Sequence, residues 1–261
     1  MKYRYNDDTL LHSVGFNLWR FESVLKHGIL SKNEALKDKI SYSKNYFGYN
    51  KDDSISLVRY LYINPNVLYS SYDLYLRNGI SFIVEGVPFI YDKGQKQIHR
   101  MDEVLVKDKI PKEAICGISV SDKYLDMTLD RLPMISFNIT SYNYLKETSD
   151  NLIKYLKDNN HEVDYEEYKE IFYDLKLTSR AYASLKEKNV KEDDEDLKDV
   201  LDYYQELLQE LSFYLARETF NCFSKKLGKP ATLRDTMGYI MSKYGNLEIF
   251  DLPQEVVNKR R

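Results

Sequence analysis

Between residues 141 and 227 the chain contains neither glycine nor proline. These two residues are the strongest punctuators of regular structure, so a long run without them must consist of a few extended elements. Apolar residues recur through it at three- and four-residue intervals, the spacing of one helix face. The periodicity predicts helices over residues 142–158, 164–188, 195–226 and 232–244. Gly228 fits a helix stop, and Thr232 followed three residues later by Asp235 fits a helix start after Pro230, so residues 227–231 read as a turn. The acidic run KEKNVKEDDEDLKD at 186–199 reads as a solvated connection between helices, with contact to a basic partner as the alternative.

Before residue 140 the texture changes. Short apolar runs at 80–86, 87–91, 103–107, 114–120 and 134–139 are separated by Gly, Pro, Asn and Asp, which is the pattern of strands and turns. The expected organisation is α+β, with a strand-rich domain over residues 1–140 and a mainly helical region over 141–261. A chain of 261 residues has room to bury a sizeable core. Lys plus Arg number 19 against 17 Asp plus Glu up to residue 140, and 19 against 24 after it. There is thus no basic surplus of the kind that marks general nucleic-acid binding, and the first part is the better host for an anionic ligand.

Cys116 lies in an apolar strand-like run and Cys222 in a helix-like run, without metal or redox spacing, so both read as buried free thiols in a reducing compartment. The amino-terminal MKYRYNDDTLLHS lacks a signal-peptide core, and no window reaches the roughly eighteen apolar residues of a membrane span. The expectation is a cytoplasmic protein with no membrane partner, or one delivered to a host cell without a cleaved signal. Phosphate-cradling glycine loops, His-Glu-x-x-His pairs and Gly-x-Ser-x-Gly elbows are missing from the sequence, and four histidines are too few and too scattered for a zinc site; no metal is expected.

Three segments carry residues suited to chemistry. In LLHSVGFNLWRFESVLKHGIL, Leu10 and Leu11 lead a strand into His12, a turn follows at Gly15, and an amphipathic helix over residues 17–27 stops at Gly28 in a left-handed cap. In SISLVRY, Ser54 and Ser56 alternate with Ile55 and Leu57, so the two hydroxyls share a strand face, and Arg59 follows. In HRMDEVLVKDKIPKEAICGISV, Glu103 stands at the mouth of a short apolar strand. Taken singly these are a strand-end carboxylate, a strand histidine held by backbone hydrogen bonds, small residues in a close-packed strand and a surface arginine.

In the order His, Ser-x-Ser, Glu, however, the three segments resemble the ADP-ribosyltransferase superfamily, over residues 9–120. The resemblance implies a split β-sandwich whose cleft holds NAD, and transfer of one ADP-ribose to a macromolecule with release of nicotinamide, in a toxin, effector or phage-host conflict role. It implies that Glu103 is catalytic, stabilising oxocarbenium-like charge on the ribose and gripping a ribose hydroxyl. His12 would bind the adenosine-side ribose or orient the cofactor, Ser54 or Ser56 would support Glu103, and Arg59 would pair with the pyrophosphate. An aromatic stacked on nicotinamide is expected from among Tyr46, Phe47, Tyr49, Tyr60 and Tyr62. Met101 stands where arginine-modifying members carry Glu or Gln, which counts against arginine as acceptor. A protein acceptor is expected before a nucleic acid, with the helical region recognising the target or regulating the site. The alternatives are a fold that binds but has lost the chemistry, an NAD-dependent RNA 2′-phosphotransferase, and an unrelated interaction protein.

Overall fold

The computed structural model describes residues 4, 8–40, 53–59, 79–91, 103–132, 142–188, 191, 194–245 and 247–251. The protein is mixed α/β with a mainly helical carboxy-terminal half. The chain divides into two compact units, one formed by Met1–Asp126 with Leu233–Arg261 and the other by Met127–Thr232. The residues around the expected boundary at 140 lie outside those described. The helix and strand that follow residue 232, assigned by sequence to the helical region, belong to the strand-rich unit. Periodicity reports the type of an element but not which core its apolar side joins.

The strand-rich unit is built on one seven-stranded sheet among the described residues, in the order β5-β6-β3-β1-β4-β8-β9. Its strands are β1 (Leu10–Gly15), β3 (Ser54–Arg59), β4 (Gly79–Val84), β5 (Ile90–Tyr91), β6 (Glu103–Lys107), β8 (Ile115–Val120) and β9 (Ile249–Asp251). All pairs are antiparallel except β8 with β9. A separate ribbon pairs β2 (Ile29–Leu30) with β7 (Lys109–Ile110). Where the resemblance implied two small sheets, β1 joins the halves by pairing on both edges, but unequally. It meets β4 over all six residues and β3 only at Leu10↔Arg59 and Leu11↔Val58. β4 is buried throughout, as expected of a run with apolar residues on both faces in the middle of a sheet.

Helix α1 (Leu18–His27) follows β1 after a turn; Asn17 caps it by accepting from the Arg20 N–H, and Leu18, Trp19, Phe21 and Leu25 are buried. Gly28 ends it with φ 81° and ψ −173°, so the backbone is not the left-handed helical cap expected from sequence. The glycine is required there for another reason: a Cβ would lie 2.2 Å from the Ile110 carbonyl oxygen. Short helices α2 (Lys32–Lys37) and α3 (Asp122–Leu125) and helix α7 (Leu233–Met241) complete the unit. Glu22 of α1 accepts from Tyr244 at 2.8 Å and pairs with Lys243 at 3.4 Å, and Arg234 pairs with Asp126 at 3.0 Å, which ties the segment after residue 232 to this unit. Cys116 is exposed on β8, correcting its expected burial, whereas Cys222 is buried.

The helical unit contains α4 (Tyr142–Asp158), α5 (Tyr165–Glu187) and α6 (Glu195–Leu227), close to the spans that periodicity predicts. Asp164 and Asp194 cap α5 and α6, and Gly228 ends α6 in the left-handed conformation. Its core holds Tyr168, Phe172 and Tyr214, with ring centroids 4.8 and 5.9 Å from Tyr168. The tyrosine hydroxyls are satisfied: Tyr168 donates to Asp150 and Tyr214 to the Asp164 carbonyl, each at 2.7 Å. Buried Glu218 contacts His161 Nε2 at 3.0 Å and the Arg217 guanidinium at 3.3 Å. Removing a buried carboxylate leaves its partners unmatched, so Glu218→Ala should destabilise this unit by about 2–3 kcal/mol and Glu218→Gln by less. Denaturant unfolding followed by helical circular dichroism is the check; an unchanged midpoint would show the contacts to be idle. No helix among the described residues is long and apolar enough to cross a membrane.

Candidate functional site

The sheet order β6-β3-β1 makes neighbours of the three strands that carry the residues singled out by sequence. Directly opposed residues of an antiparallel pair project to the same side, and successive residues alternate. Val58 opposes both Leu11 of β1 and Glu103 of β6, while Ser56 opposes Leu105. This register puts position 103 on the face that carries Ser54 and Ser56, diagonal to Ser56 across one strand spacing. Ser56 is half-buried; Ser54 donates to Asp53 at 3.1 Å. The alternation expected of Ser54-Ile55-Ser56-Leu57 is present, with both apolar residues buried.

His12 comes directly after the last β1–β3 pair. Its Nδ1 lies 3.1 Å from the Ser56 carbonyl oxygen, so the imidazole takes the place of a backbone bond where the two strands cease to pair. A carbonyl can only accept, so Nδ1 carries the proton and Nε2 of the neutral ring is left as an acceptor. Burial lowers the His12 pKa from its ordinary value; the hydrogen bond to Ser56 opposes this, and the charge of Arg20 adds to the lowering. A histidine held neutral on folding binds fewer protons than it does unfolded. Stability must therefore fall as pH drops through the ordinary histidine pKa and level off below the lowered one. Thermal unfolding at pH 7 and pH 5 should show a loss at the lower pH that is smaller in His12→Asn, which keeps a donor for Ser56 but does not titrate; an identical loss would assign it elsewhere. His27, whose pKa burial also lowers, contributes in the same direction.

Arg59 is opposed to Leu10, which places it on the side away from Ser54, Ser56 and position 103. Its guanidinium sits 5.5 Å from the Phe89 ring centroid. The structure thus brings Ser54, Ser56 and position 103 onto one face, whereas His12 and Arg59 lie on the other, His12 reaching back only to the Ser56 carbonyl. The five aromatics considered as stacking partners lie outside the described residues.

Two further groups are not legible in the sequence. Ser13, Ser81 and Ser119 form a row across β1, β4 and β8 on the Ser56 side, with Ser13 and Ser81 hydroxyls 2.7 Å apart and Ser81 and Ser119 fully buried. Each is one hydroxyl in an apolar strand, and only the register aligns them. The other group is Trp19 and Arg20, at the start of α1, each with a buried N–H that meets no acceptor among the described residues.

A strand position occupied by Glu, on a face shared with two serine positions, suits the stabilisation of developing positive charge, and a neutral imidazole acceptor can take a ligand hydroxyl. Compared with models of known protein families, with curated proteins and with solved structures, the chain matches none.

Proposed function

We propose that the chain is a mono-ADP-ribosyltransferase of split β-sandwich type, which moves ADP-ribose from NAD to a macromolecular acceptor and releases nicotinamide. The observation that carries this reading is the arrangement of three adjacent strands: positions 103 and 56 are diagonal neighbours on one face, beside the seam where β1 and β3 part at His12. Glu103 stabilises the oxocarbenium-like ribose as the bond to nicotinamide breaks, and receives the proton of an incoming hydroxyl or amine. Ser56 orients that carboxylate, and His12 acts as a positioning residue, holding the Ser56 backbone at the seam through its Nδ1 bond to the Ser56 carbonyl. NAD is the co-substrate, a protein the favoured acceptor, and a toxin, effector or phage-host conflict role the setting. The helical region recognises the target.

A second reading, a protein that binds through the same fold without chemistry, is favoured by Arg59, which lies on the face away from Ser56 where a pyrophosphate partner was expected. Incubation with labelled NAD and a whole-cell lysate, followed by protease or nuclease digestion, separates the readings. Label that protease removes supports transfer to protein; no label and no NAD binding leaves the binding-only reading.

A further inference from the structure

We propose that Trp19 and Arg20 form a binding site for a phosphoryl oxyanion on the His12 side of the sheet. Phe21, the next residue of α1, stacks on Phe82 with ring centroids 5.8 Å apart, and Phe82 is directly opposed to His12. The start of α1 therefore packs over the strands on which His12 lies. Trp19 is only 8 % exposed, yet its indole Nε1 meets no acceptor among the described residues. The Arg20 Nε is buried in the same condition, and its guanidinium stands 5.0 Å from the Trp19 ring centroid. A buried donor without an acceptor is costly to leave unmatched, so two on neighbouring side chains point to a ligand that supplies acceptors.

That ligand is anionic. Both orphan groups are donors, one belongs to a permanent cation, and no carboxylate among the described residues pairs with Arg20. The influence of Arg20 on His12 agrees with a cation whose field reaches the seam. A guanidinium fork presents parallel N–H groups that fit two oxygens of one phosphoryl group, with the indole N–H as a third donor. The site lies on the face of His12 and Arg59, away from position 103, so it does not rest on the transferase reading.

Trp19 is the chain's only tryptophan, so intrinsic fluorescence reports directly on the site. Titration of the full chain with inorganic pyrophosphate should change the emission saturably at millimolar concentrations or below, and Arg20→Gln should weaken binding by about tenfold or more, given the strength of charge-assisted hydrogen bonds. Arg20→Lys, which keeps the charge but loses the fork, should fall between them; it carries the test by calorimetry if Arg20→Gln does not fold. No saturable change with pyrophosphate, equal binding by the variants, or the same response to acetate would overturn the site. Saturation by pyrophosphate but not by NAD would uphold it as a site for a free phosphoryl anion.

Discussion

Glu103→Ala is expected to lower NAD cleavage by about 100-fold or more, the loss seen when a group aimed at developing charge is removed from an active site. Folding should be unaffected. The backbone of residue 103 is held by its pairing with Val58 at the end of β6, and alanine can make the same bonds. Glu103→Gln is the sharper form, because it keeps size and hydrogen-bonding capacity while removing the charge that an oxocarbenium-like ribose requires. Both should leave NAD affinity within a few-fold, so that kcat falls and KM does not. Ser56→Ala should cost about 10-fold, the lower range for a residue that acts through a neighbour. Equal NAD turnover by wild type and Glu103→Ala would remove Glu103 from the chemistry and the transferase reading with it.

The largest effect on stability is expected at Gly28. Its φ of 81° is costly for any residue with a side chain, and an added Cβ would stand 2.2 Å from the Ile110 carbonyl and 3.1 Å from the Lys112 nitrogen. Those atoms are backbone and cannot rotate away. The ribbon formed by β2 and β7 would have to move off the end of α1. Conformational strain and crowding together should make Gly28→Ala destabilising by about 3–4 kcal/mol, roughly 10 °C in the unfolding temperature. Gly228 is the internal control. It also has positive φ, at 67°, but a Cβ there meets nothing within 4 Å, so Gly228→Ala should cost only the backbone term of about 1 kcal/mol. Similar losses at the two positions would mean that the contact with Ile110 relaxes freely.

The helical unit is the most legible part of the chain, since the long stretch without Gly or Pro leaves the apolar repeat uninterrupted and aspartates stand at the starts of α5 and α6. The core strands are legible for the same reason, through alternation in β3 and apolar runs in β4, β6 and β8. The β2–β7 ribbon and β9 are not. Two or three residues carry no period, and their partners lie far away in sequence. Of the candidate site, the shared face of Ser54 and Ser56 follows from spacing within one strand. The side taken by Arg59 depends on which residue of β1 it opposes, which spacing within β3 cannot supply. Trp19 and Arg20 read as part of an ordinary amphipathic helix, because an orphaned N–H is a property of surroundings and not of residue type.

The parallel pairing of Ile118 with Ile249 has a consequence for how the sheet is completed. Between these strands the chain leaves the strand-rich unit at Asp126 and returns at Leu233, so the helical unit is an insertion within it. The insertion closes on itself: Thr128 and Thr232 form an isolated bridge, and the Leu129 N–H donates to the Ala231 carbonyl at 2.9 Å. Once these helices have folded, with contacts that are local along the chain, their two ends already stand side by side. The remaining search that brings β9 to β8 is then that of a short loop and not of a long one. By the same geometry the insert could lengthen, shorten or be exchanged for another module while the two flanking strands still met.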